Sequence, residues 1–382
     1  MIIIVHLTDA FNSAIVIIQT FSREHMSIIT YGCPMLLDNN SRKLLYKIAV
    51  SYYEDGLTQK QIGKRFGLSR IKVSRLLRQA REQKIVQINI TPSNGSHAEL
   101  ERALDIKYNL DEVIATTPTN YSTKGIARSL APLAVESLLR SVQGKGVVAI
   151  TWGTTLNAVI DYLPATNWPN VRIIQCLGGL SSPEAEINGV DLVRRMAQAL
   201  GARPLLLSSP GLVANKAIRD ALVMDPHISN VLQIAAKADI AMVGIGVLNQ
   251  ESVILQNNIL SNSDIERITA KGAVGDIGMR FYDSQGERID DEIDDRIIGL
   301  DLEQFKRIKR VIGVAGGDNK YGAIRAALKG KLVDVLVTDD RTAARLLEED
   351  SQPEHKKITR KKSLQFEVEK VGDLALATEK GG

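Results

Sequence analysis

Residues able to hold a small anion recur where apolar runs of the chain give way to amphipathic ones. In "TWGTTL" (Thr151–Leu156), Gly153, Thr154 and Thr155 bring backbone N–H groups and hydroxyls to the start of a helix, the chemistry of a phosphate cradle. "AGGDNK" (Ala315–Lys320) is a second glycine-rich turn and ends in Lys320, a point positive charge. In "GAVGDIGMRFYDSQG" (272–286), Asp276 follows Gly275 as a carboxylate placed to accept sugar hydroxyls. A single glycine turn arises wherever a strand meets a helix; several along one edge of one sheet point to a site.

A different chemistry sits nearer the amino terminus. "LSRIKVSRLLRQAREQK" (68–84) carries six Arg or Lys residues on an amphipathic pattern. Val73, Leu76, Leu77 and Ala80 form one apolar stripe at i, i+3, i+4 and i+7. The opposite face presents Ile71, Lys72, Ser74, Arg75 and Arg78, and isoleucine is out of place on a face that meets only water. Residues 59–84 hold nine cations against Glu82 alone, a local charge of +8; with +4 over the whole chain, the remainder carries −4. Concentrated basicity beside a near-neutral body is the footprint of a nucleic-acid-binding module.

The elements that must carry this helix follow from caps and stripes. "SRKLLYKIAVSYYEDG" (41–56) reads as a helix capped by Ser41, striped by Leu44, Leu45, Ile48, Ala49 and Tyr52, and ended by Gly56. In "LTQKQIGKRFG" (57–67), Thr58 and Gln61 form a capping box, Ile62 and Phe66 sit one turn apart, and Gly67 closes the helix. Ser69 caps the third helix. Two helices about a tight glycine turn predict a helix-turn-helix. The alternation of Val86, Ile88 and Ile90 predicts a strand after it and so a winged variant. In such a unit the last helix lies in the major groove of DNA. Arg70, Lys72 and Arg75 would reach phosphates or guanine, Ile71 would press on a thymine methyl, and Ser74 would bond either. Thr58, Gln59, Lys60 and Ser69, at the two helix starts, complete the expected operator contacts, with Lys64 and Arg65 over the backbone.

Beyond this head, "TPSNGS" (91–96) is a linker with a domain boundary at Asn94–Ser96. Leu100, Ala103, Leu104 and Tyr108 predict a helix that packs on a neighbour. From about residue 112, an apolar strand, a polar turn and a helix recur, as in "VVAITWGTTLNAVIDYL", "VRIIQCLGGL" with "GVDLVRRMAQALG", "ADIAMVGIGV", "VIGVAGGDNKYGAIRAALKG" and "VDVLVTDDRTAARLL". The series predicts an α/β fold: a doubly wound, mostly parallel sheet covered on both faces, with ligands beyond the carboxyl ends of its strands. The expected organisation is an extra, poorly ordered segment over 1–40, the helix-turn-helix over 41–92, linker and helix over 93–111, the effector-binding domain over 112–349, and a basic tail over 350–382. Met35 is an alternative start.

Composition excludes several classes. With 44% apolar residues in 382, the chain suits an ordinary globular core. Cys33 and Cys176 and the scattered His6, His25, His97, His227 and His355 give neither a disulfide framework nor a metal site, so no metal or cofactor is expected and the reducing cytoplasm fits best. The apolar opening "MIIIVHLTDAFNSAIVII" is interrupted by Asp9, which argues against a membrane span. "GIGVLN" (Gly244–Asn249) lacks the third glycine of a dinucleotide fingerprint, and "DDEIDD" (Asp290–Asp295) lacks the spacing of a calcium loop. No G-x-S-x-G elbow supports a serine hydrolase.

With these motifs in order, the chain resembles the SorC family of sugar-responsive bacterial transcriptional regulators. The resemblance rests on "YYEDGLTQKQIGKRFGLSRIKVSRLL", "TWGTTL", "CLGGL", "KGAVGDIGMRFYDSQGE" and "GVAGGDNKYGAIRAALKGKLVDVLVTD", and spans roughly residues 42–347. It implies an effector domain related in fold to sugar-phosphate isomerases and deaminases, a phosphorylated sugar as ligand, operator DNA as partner, and assembly as a homo-oligomer, dimer or tetramer. It implies that Gly153, Thr154 and Thr155 hold phosphate, that Asp276 takes sugar hydroxyls, that Lys320 pairs with the ligand, and that Gly178 and Gly179 let the ligand approach the backbone. A repressor of a carbohydrate-utilisation operon is the expected function; an activator shares every residue. The rival class is an enzyme, a sugar-phosphate isomerase or deaminase on the same fold, with Asp276 and Lys320 as acid–base pair.

Overall fold

The computed structural model describes residues 2–8, 14–20, 39–89, 97–179, 189–249, 252–257 and 259–348. Contacts divide the chain into two compact units, residues 1–93 and 94–382. Cys33, Met35, the Asn94–Ser96 boundary and the basic tail from residue 350 lie outside the described residues.

In the first unit, β1 (Ile2–Thr8) and β2 (Ala14–Thr20) pair antiparallel, from Ile2 opposite Thr20 to Thr8 opposite Ala14. A poorly ordered opening was expected there; both runs are dominated by β-branched Ile and Val, which favour a pleated pair. Three helices follow: α1 (Asn39–Tyr53), α2 (Gln59–Phe66) and α3 (Arg70–Glu82). The first begins two residues ahead of its expected cap, so Ser41 lies inside the helix. Thr58 makes the full capping box of α2: its Oγ1 accepts from the Gln61 N–H at 3.3 Å, and its own N–H donates to Gln61 Oε1 at 2.9 Å. A Cβ on Gly63 would fall 2.5 Å from the Leu68 carbonyl oxygen, so the turn between α2 and α3 closes only over glycine. Ser69 Oγ accepts from the Lys72 N–H at 3.2 Å and starts α3. Ile48, Ile62, Val73 and Leu77 form the shared core. The winged variant is not found: residues 83–89 contain no strand. Ile85 and Val86 instead cover Leu45, Ala49 and Ala80, and Ile88 is exposed. An alternating run becomes a strand only against a partner, and none is described beside it.

The second unit runs α4 (Ala98–Tyr108), β3 (Glu112–Thr116), α5 (Thr123–Val142), β4 (Gly146–Ile150), α6 (Thr154–Asp161), β5 (Val171–Gln175), α7 (Gly189–Leu200), β6 (Arg203–Leu205), α8 (Lys216–Val223), α9 (Pro226–Ala235), β7 (Ile240–Gly244), α10 (Val253–Gln256), α11 (Asn262–Ala270), β8 (Gly275–Ile277), β9 (Arg280–Tyr282), α12 (Leu302–Lys306), β10 (Val311–Val314), α13 (Tyr321–Lys329), β11 (Val335–Asp339) and α14 (Asp340–Glu348). Seven strands form one sheet in the order β3-β11-β10-β7-β4-β5-β6, every pairing parallel. Successive side chains alternate between two cores. Val147, Ala149, Ala241 and Val243 face one, with α4, α9, α13 and α14; Val148, Ile150, Ile240 and Met242 face the other, with α5, α6, α7 and α11. Both faces are dry, which is why these strands read as continuous apolar runs.

Helix α4 packs on this body through the Leu100, Leu104 and Tyr108 stripe expected of it. Leu104 is fully buried in its core, and Glu101 Oε1 accepts from the Ala115 N–H of β3 at 2.8 Å.

A charged cluster ties α11 to the loop after β9. Asp291, its side chain 1% exposed, meets Arg267 at 3.0 Å and Lys271 at 2.9 Å; Asp264 meets Arg267 at 2.7 Å and Arg296 at 3.1 Å. Burial alone would raise the Asp291 carboxyl, but the Arg267, Ile293 N–H and Lys271 hydrogen bonds outweigh it and hold it well below the usual range. A depressed carboxyl contributes stability above its unfolded value and loses it as pH falls through the folded one. Asp291→Asn should therefore lower unfolding stability by about 3 kcal/mol at neutral pH. The gap from the native chain should close progressively below about pH 4 in calorimetry.

Candidate functional site

The winding of the large sheet reverses between β4 and β7. From β4 the chain proceeds to β5 and β6 on one side; from β7 it proceeds to β10 and β11 on the other. A crevice must open above the carboxyl ends of two such neighbours. A cavity lies there, walled by the turns after β4 (Gly153, Thr154, Thr155), β7 (Gly244 to Val247) and β10 (Asn319, Lys320) and by Asp276, Gly278 and Met279. Three separate sequence motifs thus converge on one space.

Helix α6 starts in this wall. Its cap residue is Gly153, which supplies no side-chain cap hydrogen bond. Thr123, at the capped start of α5, lines the same cavity.

Asp276 sits on a hairpin that the sequence reading missed. β8 and β9 pair antiparallel, and Gly278 and Met279 form their two-residue turn with φ of 59° and 63°. Both values are positive, as a tight hairpin of this hand requires, and glycine takes the first at no cost. Met279 is a strained choice, and its N–H repays the geometry by donating to Asp276 Oδ2 at 3.0 Å. The hairpin is pinned to the β7 exit by two backbone bonds, Gly246 N–H to the Asp276 carbonyl at 2.9 Å and Asp276 N–H to the Gly246 carbonyl at 3.1 Å. A Cβ on Gly246 would lie 2.0 Å from Asp276 Oδ1. "GIGVLN", no dinucleotide fingerprint, is therefore the wall against which the carboxyl rests.

Asp276 is 6% exposed, and its Oδ1 has no hydrogen-bond partner among the described residues. Burial pushes its carboxyl up to about 6, against the opposing effects of the Met279 N–H and the Lys320 charge. Lys320 Nζ donates to the Ile245 carbonyl at 2.9 Å, so its ammonium is anchored across the cavity mouth to the β7 exit. Gly178 and Gly179 are not among the residues that line the cavity. Gly178 accepts from Trp152 Nε1–H at 3.0 Å, and a Cβ there would meet the Pro210 carbonyl oxygen at 2.3 Å. Gly178 thus lets two loops pack, and the Gly179 N–H donates to the Ser209 carbonyl at 2.9 Å. Asn249, Ser252 and Asn319 line it without having been expected, since isolated amides and hydroxyls carry no sequence signal.

On the head, Gln59, Arg70, Ile71, Ser74, Arg75 and Arg78 share one concave surface. Ile71 is 82% exposed while Val73, two residues on, is fully buried, so the helix stands with its basic face outward. Arg70, Lys72 and Arg75 form no ion pair among the described residues. Arg65 differs: it is turned to Asp55 at 3.4 Å and Ser51 at 3.5 Å. Thr58 and Ser69 spend their hydroxyls on caps. Among the described residues no helix is long and apolar enough to cross a membrane, and no cluster of His, Cys, Asp or Glu could hold a metal ion. Cys176 is buried, which pushes its thiol far above the ordinary range.

Comparison with known proteins places both halves. Residues 93–348 match the Sugar-bind family, a sugar-binding domain, and residues 47–83 match Sigma-70, region 4. The deoxyribonucleoside regulator of Bacillus subtilis is 29% identical over 81% of this chain and 99% of its own length. The transcriptional regulator LsrR of an Enterobacter species is 31% identical over 80% of this chain and 93% of its own. The crystal structure of the full-length sorbitol operon regulator SorC from Klebsiella pneumoniae superposes with a TM-score of 0.63 at 27% identity, covering 81% of this chain and all of that one. A sugar-binding body joined to a helix-turn-helix head, matched nearly end to end by these regulators, makes the chain a member of the SorC family of transcriptional regulators.

Proposed function

We propose that the protein represses a carbohydrate-utilisation operon and that a phosphorylated sugar in the β4–β7 cavity releases it from DNA. One observation carries the ligand class: an uncapped helix start, an ammonium and a buried carboxylate oxygen without a partner face one space. The first two suit a phosphate; the third suits a hydroxyl. Thr154 and Thr155 N–H groups hold the phosphate, Asp276 reads a hydroxyl, and Lys320 balances the charge. The protein acts in the cytoplasm as a dimer or tetramer, with operator half-sites about one helical turn or its multiples apart. The ligand shifts the operator equilibrium only through its differential affinity for the two assembly geometries.

An enzymatic reading has one observation in its favour, the Asp276 carboxyl held at about 6, where a general base would work. Turnover of pentose or hexose phosphates by the purified chain would establish it; its absence, with binding retained, leaves the regulator. Repression is separated from activation by deleting the chromosomal copy: operon transcription should rise without inducer.

A thermal-shift screen of phosphorylated sugars tests the site, because a ligand at 100 times its dissociation constant stabilises by ~2.7 kcal/mol. Affinity should fall as pH drops through about 6, when Asp276 takes up its proton and loses the charge that strengthens its hydrogen bond to a hydroxyl. Phosphate titrates near pH 6 as well; Asp276→Asn should therefore bind more weakly at pH 8 and retain only the phosphate's share of the pH dependence, measured by calorimetric titration.

On the head, Arg75→Ala should cost ~1–3 kcal/mol of operator affinity through a lost bidentate guanine contact. Ile71→Ala should weaken operator binding yet leave thermal stability within ~0.5 kcal/mol, since the side chain touches little in the free protein. Fluorescence anisotropy on the operator and a melting curve check the pair.

A further inference from the structure

The turn that carries Lys320 is held from below by the end of β11. Asp339, fully buried, accepts from the Gly317 N–H at 2.7 Å and from Thr342 Oγ1 at 2.6 Å with Oδ2, and from the Thr342 N–H at 3.0 Å with Oδ1. A Cβ on Gly316 would sit 2.4 Å from that same Oδ2, so the glycine turn is moulded onto the carboxylate. The next residue, Asp340, faces away from the turn. Its Oδ1 accepts from Tyr121 OH at 2.7 Å and its Oδ2 from Thr117 Oγ1 at 2.8 Å. Thr117 Oγ1 lies 3.1 Å from His97 Nε2. A hydroxyl has one proton, and Thr117 gives it to a carboxylate that only accepts; His97 Nε2 must therefore be the donor to Thr117. His97 is the residue ahead of α4, the first helix of the body after the residues that join it to the DNA-binding head.

The other end of α4 is fastened to the same unit. Lys107 Nζ donates to the Leu346 and Leu347 carbonyls at 2.6 and 3.0 Å, and Tyr108 OH to Leu346 at 3.1 Å. Those carbonyls close α14, the helix that Asp340 opens. Helices α4 and α14 are thus bolted at both ends, and α14 follows directly from the carboxylate beneath the cavity turn.

We propose that Asp339 and Asp340 are positioning residues that join the Lys320 turn of the cavity to α4, with Thr117 as the hinge pin between α14 and the start of α4. The proposal rests on the cavity being the effector site, and it names how occupancy there reaches the segment leading to the head. Release or retightening of the Lys320 turn shifts Asp339, and α14 and α4 move with it as one piece.

The test does not need the ligand. Amide hydrogen exchange is followed in the full chain across residues 98–108, with and without Lys320→Ala, which removes the turn's anchor to the Ile245 carbonyl. In the native background the substitution should change exchange in α4 at least threefold. In a Thr117→Val background the effect should fall below half of that, and Thr117→Ser, which restores the hydroxyl, should bring it back. Tyr121→Phe serves as a second, independent cut of the Asp340 contacts, and melting curves confirm that each variant folds. Equal α4 exchange with and without Lys320→Ala, or an undiminished effect in Thr117→Val, would overturn the proposal. Coupling observed while no sugar phosphate binds would instead overturn the assignment of the effector and leave the linkage standing.

Discussion

Two neighbouring strands, β4 and β7, send their chains away in opposite directions, and the cavity walled by the Gly153, Ile245 and Lys320 turns opens at the gap this leaves. No connection can cover the carboxyl ends of strands that diverge in this way, so a hollow is dictated by topology before any side chain is chosen. The sequence then furnishes it. A helix start without a side-chain cap, a lysine, and a hairpin turned through two positive-φ residues meet there, and the hairpin brings in a carboxylate whose Oδ1 has no partner among the described residues. The rest of the body keeps these pieces in register. Two dry cores clamp the sheet, and ion pairs around Asp264 and Asp291 fix the loop that follows the hairpin.

The head works on another constraint. Its core is small, built on Ile48, Ile62, Val73 and Leu77, and local chemistry makes up the difference. A capping box at Thr58, a glycine that alone fits against the Leu68 carbonyl, and a serine cap at Ser69 join the Ile62–Val73–Leu77 packing in holding α2 against α3. The outward face of α3 is then free to be chosen for its partner.

Much of this was legible in the residues because it is governed by short-range rules. The caps at Thr58 and Ser69, the stripe on α3 and the alternation of apolar runs with helices all act within a few positions of one another. Asp276, Lys320 and the Gly153–Thr155 turn were legible as types; parallel topology brings the last two together, and the β8–β9 hairpin brings Asp276 to them. What escaped depends on distant neighbours. The Val86–Ile90 alternation suits a strand, yet no partner is described beside it. Gly178 and Gly179 look like ligand glycines, yet Pro210 lies against the first and Ser209 bonds the second. "GIGVLN" gains its meaning only from the hairpin thirty residues later, whereas the packing of α4 was legible from its Leu100, Leu104 and Tyr108 stripe.

The exposed isoleucine on α3 sets how the head would behave as ions are added. Contacts between cations and phosphates weaken steeply with salt because they depend on displaced counterions. The methyl-to-methyl contact proposed for the exposed Ile71 would release no ions and would keep its worth. On the proposed thymine contact, ionic strength would act as a filter: sliding and random attachment would dissolve first, and the sites whose thymine met that side chain would be the last to let go.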